Sequence, residues 1–156
     1  MQQTILLPSV VAASLLLLAA CDAEDVTPQS SAASDFQKQL QTQLISAKPG
    51  DVITIPAGVH PINRGLSLNV SGVTLRGEGM DKSVLSFRGQ IQGAEGLLVN
   101  ASDFTIEDLA IEDTPGDGLK INEGENIVIR RVRTEWTNGP DETNGAYGIY
   151  PVQTRN

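Results

Sequence analysis

The stretch Phe104-Thr-Ile-Glu-Asp-Leu-Ala-Ile111 decides the reading, because its pattern recurs as Ile127-Val-Ile-Arg-Arg-Val-Arg-Thr134. In each, apolar residues alternate with outward-facing ones, pause at a charged pair, and resume. Alternation with a period of two marks a half-buried strand. Working outward, Val73-Thr74-Leu75 precedes Phe104-Thr105-Ile106 by 31 residues, and Ile127-Val128-Ile129 follows it by 23. A second set, Leu85-Ser86-Phe87, Leu109-Ala110-Ile111 and Val132-Arg133-Thr134, is spaced by 24 and 23. A third, Leu97-Leu98-Val99, Leu119-Lys120-Ile121 and Ile149-Tyr150-Pro151, is spaced by 22 and 30. A recurring unit of this length predicts stacked repeats, each strand lying on its equivalent about 4.8 Å away. No single repeat buries its own apolar face, so stability grows with repeat number.

The expected fold is therefore all-β: a right-handed parallel β-helix over residues 34–156, of about four coils with three strands per coil. The turn between the first two sets is tight, at Glu107-Asp108 and Arg130-Arg131. The connections to the third set are longer and vary, from Glu112 to Gly118 and from Glu135 to Gly148. Function is expected on that side, since variable loops on a rigid scaffold carry it. Ahead of the strands, Phe36, Leu40 and Leu44 recur every four residues. Ser34 and Gln37 have capping-box spacing, and Lys48-Pro49-Gly50 ends the periodicity. An amphipathic helix over 35–47 is expected, covering the N-terminal end of the strands.

Residues 1–20 include the short apolar run Pro8 to Ala20, which reads as a secretory signal rather than a membrane span. The run ends Leu18-Ala19-Ala20-Cys21, and Cys21 is the sole cysteine. This resembles a bacterial lipobox, which implies lipid attachment at Cys21 and a membrane-anchored protein of the cell envelope, on the periplasmic side. Residues 1–10 depart from the pattern in having no Lys or Arg. Residues 22–33 are small, polar and Pro-containing and, with Cys21, read as a flexible tether over 21–33.

Pro49-Gly50-Asp51-Val52-Ile53-Thr54-Ile55-Pro56-Ala57-Gly58, Gly72-Val-Thr-Leu-Arg-Gly-Glu-Gly79, Gly118-Leu-Lys-Ile121 and Gly148-Ile-Tyr-Pro151 together resemble the pectate-lyase-like (pectin lyase fold) superfamily. Within it the chain looks most like the bacterial parallel β-helix repeat lipoproteins. The resemblance covers residues 35–156. Proteins of that fold include polysaccharide lyases, hydrolases and epimerases, so it implies a cell-envelope protein that binds or processes polysaccharide, or a non-catalytic scaffold. In lyases of this fold acidic residues hold calcium and a basic residue removes the proton. Asp113, Asp117 and Lys120 have those residue types and are the catalytic candidates. Turn chemistry is the plainer reading of Asp113-Thr-Pro-Gly-Asp-Gly118, with Asp and Gly where turns need them. The epimerase Asp-Pro-His-Asp motif is absent.

Composition narrows the chemistry. The net charge of −8 over 156 residues speaks against a nucleic-acid partner, which needs a basic face. One cysteine allows no internal disulfide, and one histidine, His60, no His-rich metal site. No cofactor is required, and calcium is the one ion the acid-rich loops would suit, through Asp113, Asp117, Asp141 and Glu142. Three of the six aromatics, Trp136, Tyr147 and Tyr150, fall within fifteen residues beside Asp141 and Glu142. Ring faces beside carboxylates suit sugars, which offer both C–H faces and hydroxyls, so these five are the substrate-binding candidates. Packing of the long loop is the plainer role for Trp136 and Tyr147. Arg130, Arg131 and Arg133 look like a polyanion site, but Arg130 is expected over Glu107, and Glu107 over Arg76, as an opposite-sign ladder. Finally, the register places Asn156 where Asn126 stands one repeat earlier, so another strand is due at position 157 and the chain reads as C-terminally truncated.

Overall fold

Ten short strands pair in parallel with the strand one layer further along the chain. The computed structural model describes residues 28–155, with side chains from residue 34. Cys21 and the expected signal therefore lie outside the described residues. The elements are α1 (Pro28–Ser46), β1 (Val52–Thr54), β2 (Gly58–Pro61), β3 (Arg64–Leu68), β4 (Thr74–Arg76), β5 (Ser83–Ser86), β6 (Gln92–Val99), β7 (Thr105–Glu112), β8 (Leu119–Glu125), β9 (Val128–Glu135) and β10 (Ile149–Arg155). Among the described residues they form two sheets and one helix. The larger sheet has six strands in the order β1-β4-β7-β5-β2, with β9 on the other edge of β7; the smaller is β10-β8-β6-β3.

The expected all-β right-handed parallel β-helix with three strands per coil does not hold. The first two strand sets are not separate stacks. β7 and β9 run continuously through both, and β4 and β5 lie end to end along β7, so one curled sheet replaces two faces. With the helix, the fold is of α/β type. The physical cause is a single residue in each long strand. Asp108 (φ 59°) and Arg131 (φ 50°) take the left-handed conformation, which bends the strand while the ladder continues on both sides. The Arg131 guanidinium donates to both carboxylate oxygens of Asp108, at 2.5 and 2.7 Å, so the two bends are locked one over the other.

Registers of the first and third strand sets match the sequence spacing. Thr74 faces Thr105 and Thr105 faces Val128, while Leu97 faces Leu119 and Leu119 faces Ile149. In the second set Leu85 faces Ile111, two residues beyond the expected Leu109. The inward columns Ile53–Leu75–Ile106–Ile129 and Leu66–Leu97–Leu119–Ile149 form the core. Their inner members are 0–5% exposed, Ile129 is half-buried, and Ile149 is 37% exposed on the edge strand β10. Glycines let the layers approach at the start of the smaller sheet. A Cβ on Gly96 would sit 2.7 Å from the Gly118 carbonyl oxygen, and one on Gly118 2.6 Å from that of Gly148.

Helix α1 begins at Pro28, seven residues before the expected start, so it includes residues 28–33 of the expected tether and places Ser34 inside the helix. Proline suits a first turn, where its missing N–H loses no hydrogen bond. Leu40 and Leu44 are buried against the core, and Phe36 stacks on His60 with ring centroids 3.9 Å apart. The helix also serves the edge of the smaller sheet. Gln37 Oε1 accepts the Asn63 N–H at 2.7 Å, and the Gln41 amide both donates to the Ser67 carbonyl and accepts its N–H, each at 3.4 Å. Two glutamines thus stand in for part of a missing neighbouring strand beside β3.

Candidate functional site

The outward row Ser67–Leu98–Lys120–Tyr150 crosses the smaller sheet, one residue from each of β3, β6, β8 and β10. Register alone therefore sets Lys120 beside Tyr150. The Lys120 ammonium lies 5.7 Å from the Tyr150 ring centroid, within cation–π range. It donates to Glu95 Oε1 at 3.1 Å and lies 3.9 Å from Asp117. The Tyr147 ring stacks on that of Tyr150 at 4.6 Å with planes 19° apart, and Tyr147 is 53% exposed. Glu95 reaches this group because β6 is irregular: six of its residues, Gln92 to Leu97, span what three residues of β3, Arg64 to Leu66, cover.

The three catalytic candidates separate. Asp117 and Lys120 belong to the tyrosine cluster, but Asp113 does not. Asp113 accepts the Thr137 N–H at 2.7 Å and the Thr137 hydroxyl, and pairs with Arg88 Nε at 3.1 Å. Burial pushes its carboxyl up, but the bonds from Thr137 and Arg88 outweigh that and hold it below the ordinary 3.8. It is a carboxylate pinned between layers. Lys120 moves away from a base: its hydrogen bond to Glu95, with Asp117 adding to it, raises it above 10.5 despite some desolvation. A proton-abstracting lysine needs the opposite shift.

The five binding candidates also divide. Tyr147 and Tyr150 form the pair above, whereas Trp136 lines a separate cleft of about 380 Å³ with Arg88, Gln90, Asp113, Pro115 and Asn144. The indole N–H donates to the Thr114 carbonyl at 2.7 Å, which fixes the ring against the preceding loop. Asp141 closes a turn, accepting the Thr143 hydroxyl at 2.6 Å and its N–H at 2.9 Å; these bonds lower its carboxyl below 3.8. Glu142 is exposed. Among the described residues no group of three or more His, Cys, Asp or Glu is placed to hold a metal ion, so the structure does not gather Asp113, Asp117, Asp141 and Glu142 into a calcium site.

The arginine run is consumed by pairing. Glu107, 2% exposed, accepts from Arg76 and from Arg130, each at 2.5 Å. The ladder has the expected order, with its central carboxylate buried rather than exposed. Arg133 contacts Glu112 at 2.7 Å and also Glu135.

Sequence reasoning missed Glu95, Arg88 and Gln90. Two of them carried a signal: Glu95–Lys120 and Arg88–Asp113 are opposite charges 25 residues apart, close to the 23 that separate Glu107 from Arg130. Gln90 carried none.

Comparison with known protein families, curated proteins and solved structures finds no match. Among the described residues no helix is long and apolar enough to cross a membrane.

Proposed function

We propose that the protein binds a neutral polysaccharide without cleaving it, through the Tyr147–Tyr150 pair and its polar surround. The observation that carries this is the stacked, half-exposed tyrosine pair beside Lys120, Glu95 and Asp117. A sugar ring lies its C–H face on an aromatic ring, and its hydroxyls take the donors and acceptors at the ring's edge. Charge selects for a neutral glycan: one ammonium stands among two carboxylates, on a chain of net charge −8. Binding is favoured over turnover because the candidate acid and base groups are in ion pairs, and Lys120 is held protonated.

Affinity electrophoresis through gels containing neutral glucans, mannans or xylans tests this. The wild-type protein is retarded, and Tyr147→Ala weakens binding about tenfold, as expected for losing about 1.4 kcal/mol of ring contact. Equal mobility of the two proteins in every gel favours the scaffold role instead.

The same proposal places the protein in the cell envelope, anchored through Cys21, on the strength of the apolar run and its Leu-Ala-Ala-Cys ending. Mass spectrometry of the membrane fraction finds diacylglycerol on Cys21 if this is right; an unmodified Cys21 contradicts it.

A further inference from the structure

Three successive connections meet at one cleft: residues 87–90 after β5, 113–115 after β7, and 136–144 after β9. Between them lies the 380 Å³ cleft, at the small end of ligand-site volumes. Its parts are held before any ligand arrives. Trp136 is fixed by its bond to Thr114, and the Gly145 N–H donates to the same carbonyl at 3.3 Å, so the long loop is tied down near both ends. Arg88 is held on one edge by Asp113 and by the Thr137 hydroxyl, yet its side chain is 71% exposed. Among the described residues only two of its N–H groups have partners, out of the five a guanidinium carries. The Asn138 amide, also lining the cleft, is exposed and makes no hydrogen bond there among the described residues. Asn144 uses one N–H on the Gly139 carbonyl, leaving its oxygen to accept. Gln90 adds a buried Oε1 that accepts nothing.

The inventory is mixed: several donors, several acceptors, an aromatic wall, and a guanidinium whose charge Asp113 already balances. A simple anion would use the donors and leave the acceptors idle. A ring bearing several hydroxyls uses both, since each hydroxyl donates once and accepts twice. We infer that this cleft is a second subsite, taking one neutral sugar residue against Trp136, with its hydroxyls bonded to Arg88, Asn138 and Asn144. The inference rests on the saccharide-binding reading and deepens it. Loop 136–148 carries both Trp136, at the cleft, and Tyr147, on the tyrosine pair, and the proposal has one glycan chain engage both. Ordering cost is low because the groups are already held.

Trp136 is the only tryptophan, so its emission reports on the cleft directly. The wild-type protein, Arg88→Lys, Asn138→Ala and Tyr147→Ala are titrated with neutral gluco-, manno-, xylo- and N-acetylglucosamine oligosaccharides from monomer to hexamer. The expected result is a saturable emission change for at least one series. Asn138→Ala, at an exposed position that leaves the fold intact, raises the half-saturation concentration at least threefold, and Arg88→Lys at least tenfold. Tyr147→Ala leaves the response to the monomer in place while weakening the hexamer. Retention in glycan gels with no emission change overturns the cleft and leaves the tyrosine reading standing. Failure of both overturns both. A response produced equally by acetate or phosphate overturns the neutral-sugar assignment.

Discussion

At Glu107 two guanidinium groups from adjacent layers meet one buried carboxylate, and the same design recurs along the chain. Asp108–Arg131 and Glu107–Arg130 are separated by 23 residues, Arg88–Asp113 and Glu95–Lys120 by 25. Opposite charges one layer apart are therefore legible as contacts once the layer length is known, and the Arg76–Glu107–Arg130 order was read that way. The burial of Glu107 was not, because outward strand positions read as solvent-facing and nothing local says that two arginine stems will cover one. Hydrogen bonds from Arg130 and then Arg76 lower the Glu107 carboxyl below 4.5, and Arg131 does the same to Asp108 below 3.8. Each group releases its proton more readily folded than unfolded. Its contribution to stability is complete above the unfolded value and is lost as pH falls through the lowered one. The melting temperature should hold from neutral pH to about 5 and fall steeply below about 4. Calorimetry across that range checks this. Glu107→Gln should melt lower at pH 7 and show a shallower acid decline; an unchanged acid limb would remove Glu107 from the account.

Elements show where periodicity informs and where it is blind. The strand columns were legible because apolar alternation and layer spacing agree. The register of β5 against β7 was not, because a shift of two residues keeps every side chain on its face. Leu85 pairs with Ile111 rather than Leu109, and alternation cannot tell these apart. The irregular stretch of β6 is invisible for a related reason: extra residues break the alternation that would reveal them, and Glu95 reaches Lys120 through that break. Helix α1 was legible from Phe36, Leu40 and Leu44, but not its start, since residues 28–33 carry no apolar stripe. Leu44 is fully buried, so Leu44→Ala should cost about 2–5 kcal/mol, read as a shifted denaturation midpoint. Replacing Gln37 and Gln41 together with Ala should hardly move that midpoint but should speed aggregation, since β3 then presents unpaired edge groups. Light scattering at fixed temperature follows it. Gly118→Ala should be severely destabilising, because its Cβ would meet the Gly148 carbonyl oxygen at 2.6 Å and backbone cannot give way as a side chain would.

Over the whole molecule, the left-handed residues Asp108 and Arg131 convert two expected faces into one curled sheet; Asp tolerates that conformation, but the residue type at Arg131 does not announce the bend. The result is a rigid stack with the variable connections gathered on one side, carrying the tyrosine pair and the Trp136 cleft. The tyrosines were legible as candidates by clustering in sequence, and the place of Tyr150 beside Lys120 followed from register. The division of Trp136 from them was not, because it depends on how the long loop folds onto Thr114. The central claim is binding without turnover. Its most direct test incubates the protein with an end-labelled neutral polysaccharide that it retards, then resolves the glycan by size. The account predicts a glycan of unchanged length, retained by the wild-type protein and released by Tyr147→Ala. Shortened products, lost on changing Asp117 or Lys120, would contradict it.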